Sequence, residues 1–133
     1  MIVADTNLLV YLHLPGPFQP LALEALTKDG EWIAPFLWRS EFRNVLASFM
    51  RRNVITLSQA QILMVEALTF MQEREYHPLH DEVLKLVTTS RCSAYDCEFV
   101  ALAQEMDVTL VSQDKQIRKE FPQLAVSLEA FVL

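Results

Sequence analysis

Glycine is nearly absent from this chain, with two among 133 residues. No stretch is rich in proline, glycine and serine, and none is low in complexity, which argues against linkers and disorder. Cysteine is as scarce: Cys92 and Cys97 are not spaced as a CxxC pair and sit in helix-like sequence, so both read as reduced thiols packed in a core. Long hydrophobic runs are missing too. The longest, Ile62 to Met71, is broken by Glu66, and the N-terminus lacks the basic region and cleavage site of a signal peptide. The expectation is a soluble, cytoplasmic protein. Basic residues are outnumbered, giving a formal net charge of −6, which argues against nonspecific binding of nucleic acid. A nuclease is still allowed, because acidic residues gathered in one cleft can hold divalent cations that reverse the local field.

What is present is enough for one domain spanning residues 1–133, with 52 % apolar side chains, no internal repeat and no shift in composition. Met1 to Ala4 reads as a strand and Thr6 to Leu12 as a short helix. A helix follows from about Pro20 to Lys28, ended by Gly30, and Glu31 to Ala34 is a second strand closed by Pro35. From Leu37 to Arg52 the apolar positions recur at helical spacing, with Asn53 as the stop. Ser58 is the expected cap of a helix to about Glu75. That helix is apolar nearly all round (Ile62, Leu63, Met64, Val65, Leu68, Phe70, Met71), so a second chain is expected to cover one side. Tyr76 to Leu79 suggests a short strand, His80 to Thr89 and Ala94 to Met106 helices, and Thr109 to Ser112 a strand. Lys115 to Glu120 is a charged helix and Ala125 to Leu128 a last strand. Alternation of this kind predicts an α/β fold: a short, mostly parallel sheet with helices on both faces.

The opening segment MIVADTNLLVYL raises the functional question, since it follows a buried strand with a carboxylate. Asp5 suits a helix cap, because its side chain accepts a first-turn N–H. It also suits a site, because open α/β sheets carry their chemistry just past the carboxyl ends of strands. Three more acids occupy comparable places: Asp114 after the strand in LVSQD, Glu41 near a helix start in FLWRSEFRNVL, and Asp96 near a helix start in SAYDCEFVALA. Four carboxylates in one crevice repel; two charges about 4 Å apart cost about 4 kcal/mol at an effective dielectric of about 20. Such a group takes up protons or binds a hard, oxygen-preferring cation such as Mg²⁺.

ADTNLLVYL, WRSEFRNVL, YDCEFVALA and LVSQD, in this order across almost the whole chain, resemble the PIN domain family, and especially the ribonuclease toxins of VapBC toxin–antitoxin modules. The resemblance implies a PIN-like three-layer sandwich. It further implies that Asp5, Glu41, Asp96 and Asp114 are an acidic quartet binding Mg²⁺ or Mn²⁺, with Thr6 and Ser112 assisting through hydroxyls and Asn7 orienting the first carboxylate. The family more often has threonine at the place of Ser112, a departure that keeps the hydroxyl. The reaction implied is endonucleolytic hydrolysis of RNA by metal-activated water, leaving a 5′-phosphate and a 3′-hydroxyl. The partner implied is a small VapB-like antitoxin whose tail occupies the toxin's groove.

Other residues admit two readings. Arg39 and Arg43 flank Glu41 and are candidate phosphate contacts or ordinary surface charges. Lys115, Arg118 and Lys119 share a helix face beside Asp114, either an RNA track or a solvated face. Glu98, two positions from Asp96, points to a different side of its helix and reads as a solvated carboxylate. His77 and His80 lack the second ligand pair that zinc requires. Trp32, Phe36 and Trp38 suit base stacking but more often serve a core or interface. Two other functions compete. One is a catalytically silent PIN-fold module that only sequesters a protein or RNA partner, disfavoured by the presence of all four acids. The other is a haloacid dehalogenase-type phosphatase, whose mechanism wants a second Asp two residues after the first, where this chain has Asn7.

Overall fold

The computed structural model describes residues 1–133. Its elements are β1 (Ile2–Ala4), α1 (Thr6–His13), α2 (Gln19–Lys28), β2 (Trp32–Pro35), α3 (Trp38–Arg51), α4 (Leu57–Phe70), β3 (Glu75–Tyr76), α5 (His80–Thr89), α6 (Ala94–Met106), β4 (Thr109–Val111), α7 (Lys115–Glu120), β5 (Ala125–Val126) and α8 (Leu128–Val132). The strands form one sheet in the order β3-β2-β1-β4-β5, every pairing parallel. This is the α/β architecture expected from the alternation of elements. α6 packs on β1, β2 and β4 and carries α5 with it, while α1 packs with α2, α3 and α4. Every residue of β1 and β2 is buried, as a sheet covered on both faces requires.

β1 lies at the centre and the chain winds outward from it in both directions. β1 pairs with β2 on one side and β4 on the other, so the crevice between β1 and β4 is the topological switch point, where such folds bind ligands. The register sets Ala4 beside Val111. The ladder extends one step further, with the Asp5 N–H donating to Val111 O at 3.1 Å. Asp5 is thereby held level with the end of β4.

Several boundaries differ from the sequence reading for local reasons. α4 is capped by Thr56 rather than Ser58: the Thr56 hydroxyl accepts the Gln59 N–H at 3.2 Å and Gln59 Oε1 accepts the Thr56 N–H at 2.8 Å, a reciprocal box. The same helix ends at Phe70, and Glu75 belongs to β3. β3 stops at Tyr76, well short of Leu79, because Pro78 has no N–H to extend a ladder. Pro35, expected to close β2, is its last residue: Ala34 N–H and Phe36 N–H donate to Arg74 O and Tyr76 O, so the ladder to β3 steps over the proline. The final strand is only Ala125–Val126, after which Ser127 caps α8 through the Ala130 N–H. Gly30 does not supply a left-handed turn. Asn53, Glu73 and Asp107 adopt positive φ instead, at a cost a glycine would not incur.

α4 differs in a more consequential way. Only Ala60 and Ala67 are buried along it, while Leu57, Ile62 and Val65 are 60 %, 59 % and 63 % exposed. Within this chain its second apolar side is bare. No helix is long and apolar enough to cross a membrane.

Candidate functional site

Four helices begin at the carboxyl end of the sheet, and each carries one carboxylate at its start. Asp5 caps α1, Asp114 caps α7, and Glu41 and Asp96 lie in the first turns of α3 and α6. Helix N-termini carry partial positive charge, so each position tolerates an anion better than a mid-helix site would. These four side chains line one cleft of about 620 Å³ together with Thr6, Asn7, Ser40, Asn44 and Tyr95.

The two oxygens of Asp5 have different partners. Oδ1 accepts the Thr6 N–H at 2.8 Å, as a cap does, and Oδ2 accepts the Ser112 hydroxyl at 2.5 Å. Ser112 is fully buried and its Oγ also accepts the Asp114 N–H at 3.0 Å, so one hydroxyl ties two of the acidic segments together. Thr6 does the same elsewhere, donating its hydroxyl to Glu41 Oε1 at 2.7 Å. Asp114 Oδ1 receives the Gln116 and Ile117 N–H groups at 2.8 and 3.0 Å. Ser93 caps α6 at the Asp96 N–H.

Crowding shows in the proton affinities. Burial pushes the Asp5 carboxyl up; the hydrogen bonds from Ser112 and Thr6 oppose that, and the charges of Asp96 and Asp114 add to it. Glu41 is raised by burial, with Thr6 opposing and Asp5, Asp96 and Glu98 adding. Asp96 is raised by burial and by Asp114. No basic side chain lines the cleft. Its donors are carboxylate, hydroxyl and amide oxygens, the set that suits Mg²⁺ or Mn²⁺ and not a soft metal. The four carboxylates line the cleft, but no three of them close on one point as direct ligands of a single ion.

The remaining sequence candidates divide. Arg39 is committed elsewhere: its guanidinium donates to both Glu75 oxygens, at 2.5 and 2.6 Å, and lies over the Phe36 ring, so the expected phosphate contact is not where the side chain points. Arg43 is exposed, with Nη2 donating to the hydroxyl of Ser40 on the cleft wall at 3.0 Å. Lys115 and Lys119 are exposed on α7, whereas Arg118 is half-buried and donates to Gln113 O at 3.4 Å. Trp32 and Trp38 are core, and Phe36 stacks on His77. Glu98 does point away from the cleft, as its spacing from Asp96 predicts, but it is half-buried in a second cavity rather than solvated. Sequence reasoning missed Asn44 and Tyr95. Asn44, three residues after Glu41, shares its helix face, a signal that was available.

The sequence profile of the PIN domain matches residues 2–120. The chain belongs to the PIN domain family. Among curated proteins, Ribonuclease VapC3 of Pyrobaculum aerophilum is 27 % identical over 127 residues, which cover 92 % of this chain and 96 % of that one. Among solved structures, PAE2754 of Pyrobaculum aerophilum superposes with a TM-score of 0.78 at 17 % identity, over 98 % of this chain and 92 % of that one. FitAcB of Neisseria gonorrhoeae gives 0.75 at 15 % identity, over 97 % and 99 %. These two likenesses are of PIN fold, the architecture in which the cleft above is built.

Proposed function

We propose that this PIN domain is a VapC-like endoribonuclease dependent on Mg²⁺ or Mn²⁺, the toxin of a toxin–antitoxin pair acting on cytoplasmic RNA. The observation that carries the reading is the convergence of Asp5, Glu41, Asp96 and Asp114 from four separate segments into one cleft with no basic side chain to balance them. The similarity to Ribonuclease VapC3 supports RNA as the substrate. In this reading the four carboxylates hold the metal, which when bound supplies positive charge for the scissile phosphate and acidity for the attacking water. Ser112 and Thr6 hold Asp5 and Glu41 in fixed orientations, so little reorganisation is needed as the metal and phosphate enter. Asn7, exposed on the cleft wall, orients the metal-binding end, and Arg43, Lys115 and Arg118 are the candidates to meet the RNA backbone outside it.

A protein partner fits the surface between the end of α3 and α4. An apolar groove there is lined by Leu14, Phe49, Val54, Ile55, Ile62 and Leu63. Together with the bare side of α4 it supports docking of an antitoxin segment and self-association as a homodimer or larger assembly.

The test is cleavage of total cellular RNA by the purified, partner-free chain with Mg²⁺, with Mn²⁺ and with EDTA, beside Asp5→Asn. Discrete fragments that require metal and vanish in the variant are expected. A folded chain that cuts nothing under any condition moves the assignment to the silent binding module.

A further inference from the structure

Next to the acidic cleft lies a second cavity of about 480 Å³ that the nuclease reading leaves without a role. It is lined by His77, Pro78 and His80 from the segment that enters α5, by Leu84 of α5, and by Tyr95 and Glu98 of α6. Tyr95 lines both cavities and is 64 % exposed, a large aromatic ring left in solvent at their shared wall. The placement follows from helical spacing. Tyr95 and Glu98 are three apart on α6 and so face the same way, while Asp96, one step on, turns into the cleft.

The cavity is built from groups that hold flat, polar molecules. The His77 ring is fixed by stacking on Phe36, with centroids 4.4 Å apart and planes 21° from parallel, and Phe36 is in turn backed by the anchored Arg39. Aromatic and imidazole faces stack on nucleobases of any sequence. Glu98 adds selectivity. It is half-buried, and none of the chain's ion pairs uses its carboxylate. Two carboxylate oxygens accept best from two adjacent N–H donors. Guanine offers that pair at N1 and N2. Uracil offers a single N–H between two carbonyls, which a carboxylate repels.

We propose that this cavity is a base-recognition subsite that takes an unstacked guanine of the RNA, stacked on Tyr95 and His77 and read by Glu98, beside the phosphate held in the acidic cleft. The choice of RNA rests on the nuclease reading; the pocket and its ligand class do not. Glu98 and Tyr95 are specificity residues and take no part in holding the metal.

Two measurements separate the proposals. In the first, the imidazole resonances of His77 and His80 in the metal-free chain are followed as guanosine or uridine is added. Guanosine is expected to move them saturably and uridine not, with guanosine affinity falling about tenfold in Glu98→Gln. Tyr95→Phe should keep that affinity and Tyr95→Ala lose it, melting curves confirming the fold of each variant. In the second, cut sites are mapped in a random single-stranded RNA pool. Guanine at one fixed position beside the cut is expected for the wild type, and loss of that preference in Glu98→Gln. Selective guanosine binding without any cleavage upholds the pocket and sinks the nuclease. Cleavage without base preference, together with equal or absent responses to the two nucleosides, overturns the pocket and leaves the nuclease standing.

Discussion

The Ser112 hydroxyl lies 2.5 Å from Asp5 Oδ2, 107 residues away in the chain, and at the same time accepts the backbone N–H of Asp114. A single buried oxygen therefore sets the spacing between two of the four carboxylates. Ser112→Ala leaves the Asp114 N–H and one Asp5 oxygen without partners and should cost about 1–3 kcal/mol in chemical denaturation, with a larger loss of cleavage than of stability. Ser112→Thr retains the hydroxyl. Its extra methyl enters a fully buried site and costs about 1 kcal/mol, yet cleavage should persist, a split that a purely structural role for the hydroxyl does not give.

Asp5→Asn should lower RNA cleavage at least about a hundredfold, about 2.7 kcal/mol of barrier. Its effect on the metal-free fold runs the other way. Burial, with Asp96 and Asp114 adding, raises the folded carboxyl above the ordinary 3.8, so the folded state holds its proton more tightly than the unfolded state does. Stability is then lost as pH rises from the unfolded value through the folded one. The asparagine variant escapes that loss. Melts in EDTA from about pH 4 to about pH 8 should show it equal to or above the wild type at the upper end, and a marked drop would leave Asp5 as a cap alone.

Mg²⁺ or Mn²⁺ should stabilise the wild type by mass action, about 2.7 kcal/mol at a hundredfold excess over the dissociation constant. Thermal melts with and without metal report this independently of any RNA. Asp5→Asn should show little or none of the gain, and a metal-insensitive wild type would remove the metal from the proposed mechanism.

Arg39 and Glu75 form a pair whose carboxylate is well shielded, with Trp38 Nε1 donating to the same Oε2 at 2.8 Å. Burial raises the Glu75 carboxyl, but the hydrogen bonds from Arg39 and Trp38 outweigh it and hold the group below its usual 4.5. Its contribution is complete above about pH 4.5 and is lost as pH falls through the lowered folded value. Arg39→Ala should therefore destabilise by about 1–2 kcal/mol at neutral pH, the lower part of the range for a lost charged partner because the Arg39 side chain is 41 % exposed. The deficit should shrink in acid. Arg39→Ala should leave the salt dependence of RNA binding unchanged, because its guanidinium is held by Glu75, whereas Arg43→Ala should reduce it.

The bare side of α4 predicts a sedimentation mass above that of the 15.3 kDa chain. Val65→Asp, at a position 63 % exposed on α4, should leave melting nearly unchanged and weaken association at least about tenfold. A wild type that sediments as a monomer at all concentrations would remove self-association and leave the antitoxin as the partner for that face.

Much of this protein is written locally. Alternating apolar segments and polar starts are enough to set a parallel α/β sheet, and the four acids stand out because each follows a strand or opens a helix, where backbone N–H groups face outward. Caps and strand ends were less legible: Thr56 outcompetes Ser58 because Gln59 answers it, and β3 is cut short by the proline at 78. What the tertiary structure alone decided is pairing across distance. Whether Arg39 reaches a phosphate or Glu75, which carboxylates share a cleft with Asp5, and whether Glu98 meets water or a pocket depend on which segments the sheet order brings together. Sequence spacing carries periodicity along one helix or strand; the contacts that orient a side chain come from its neighbours in space, and those are fixed only once β1 lies between β2 and β4.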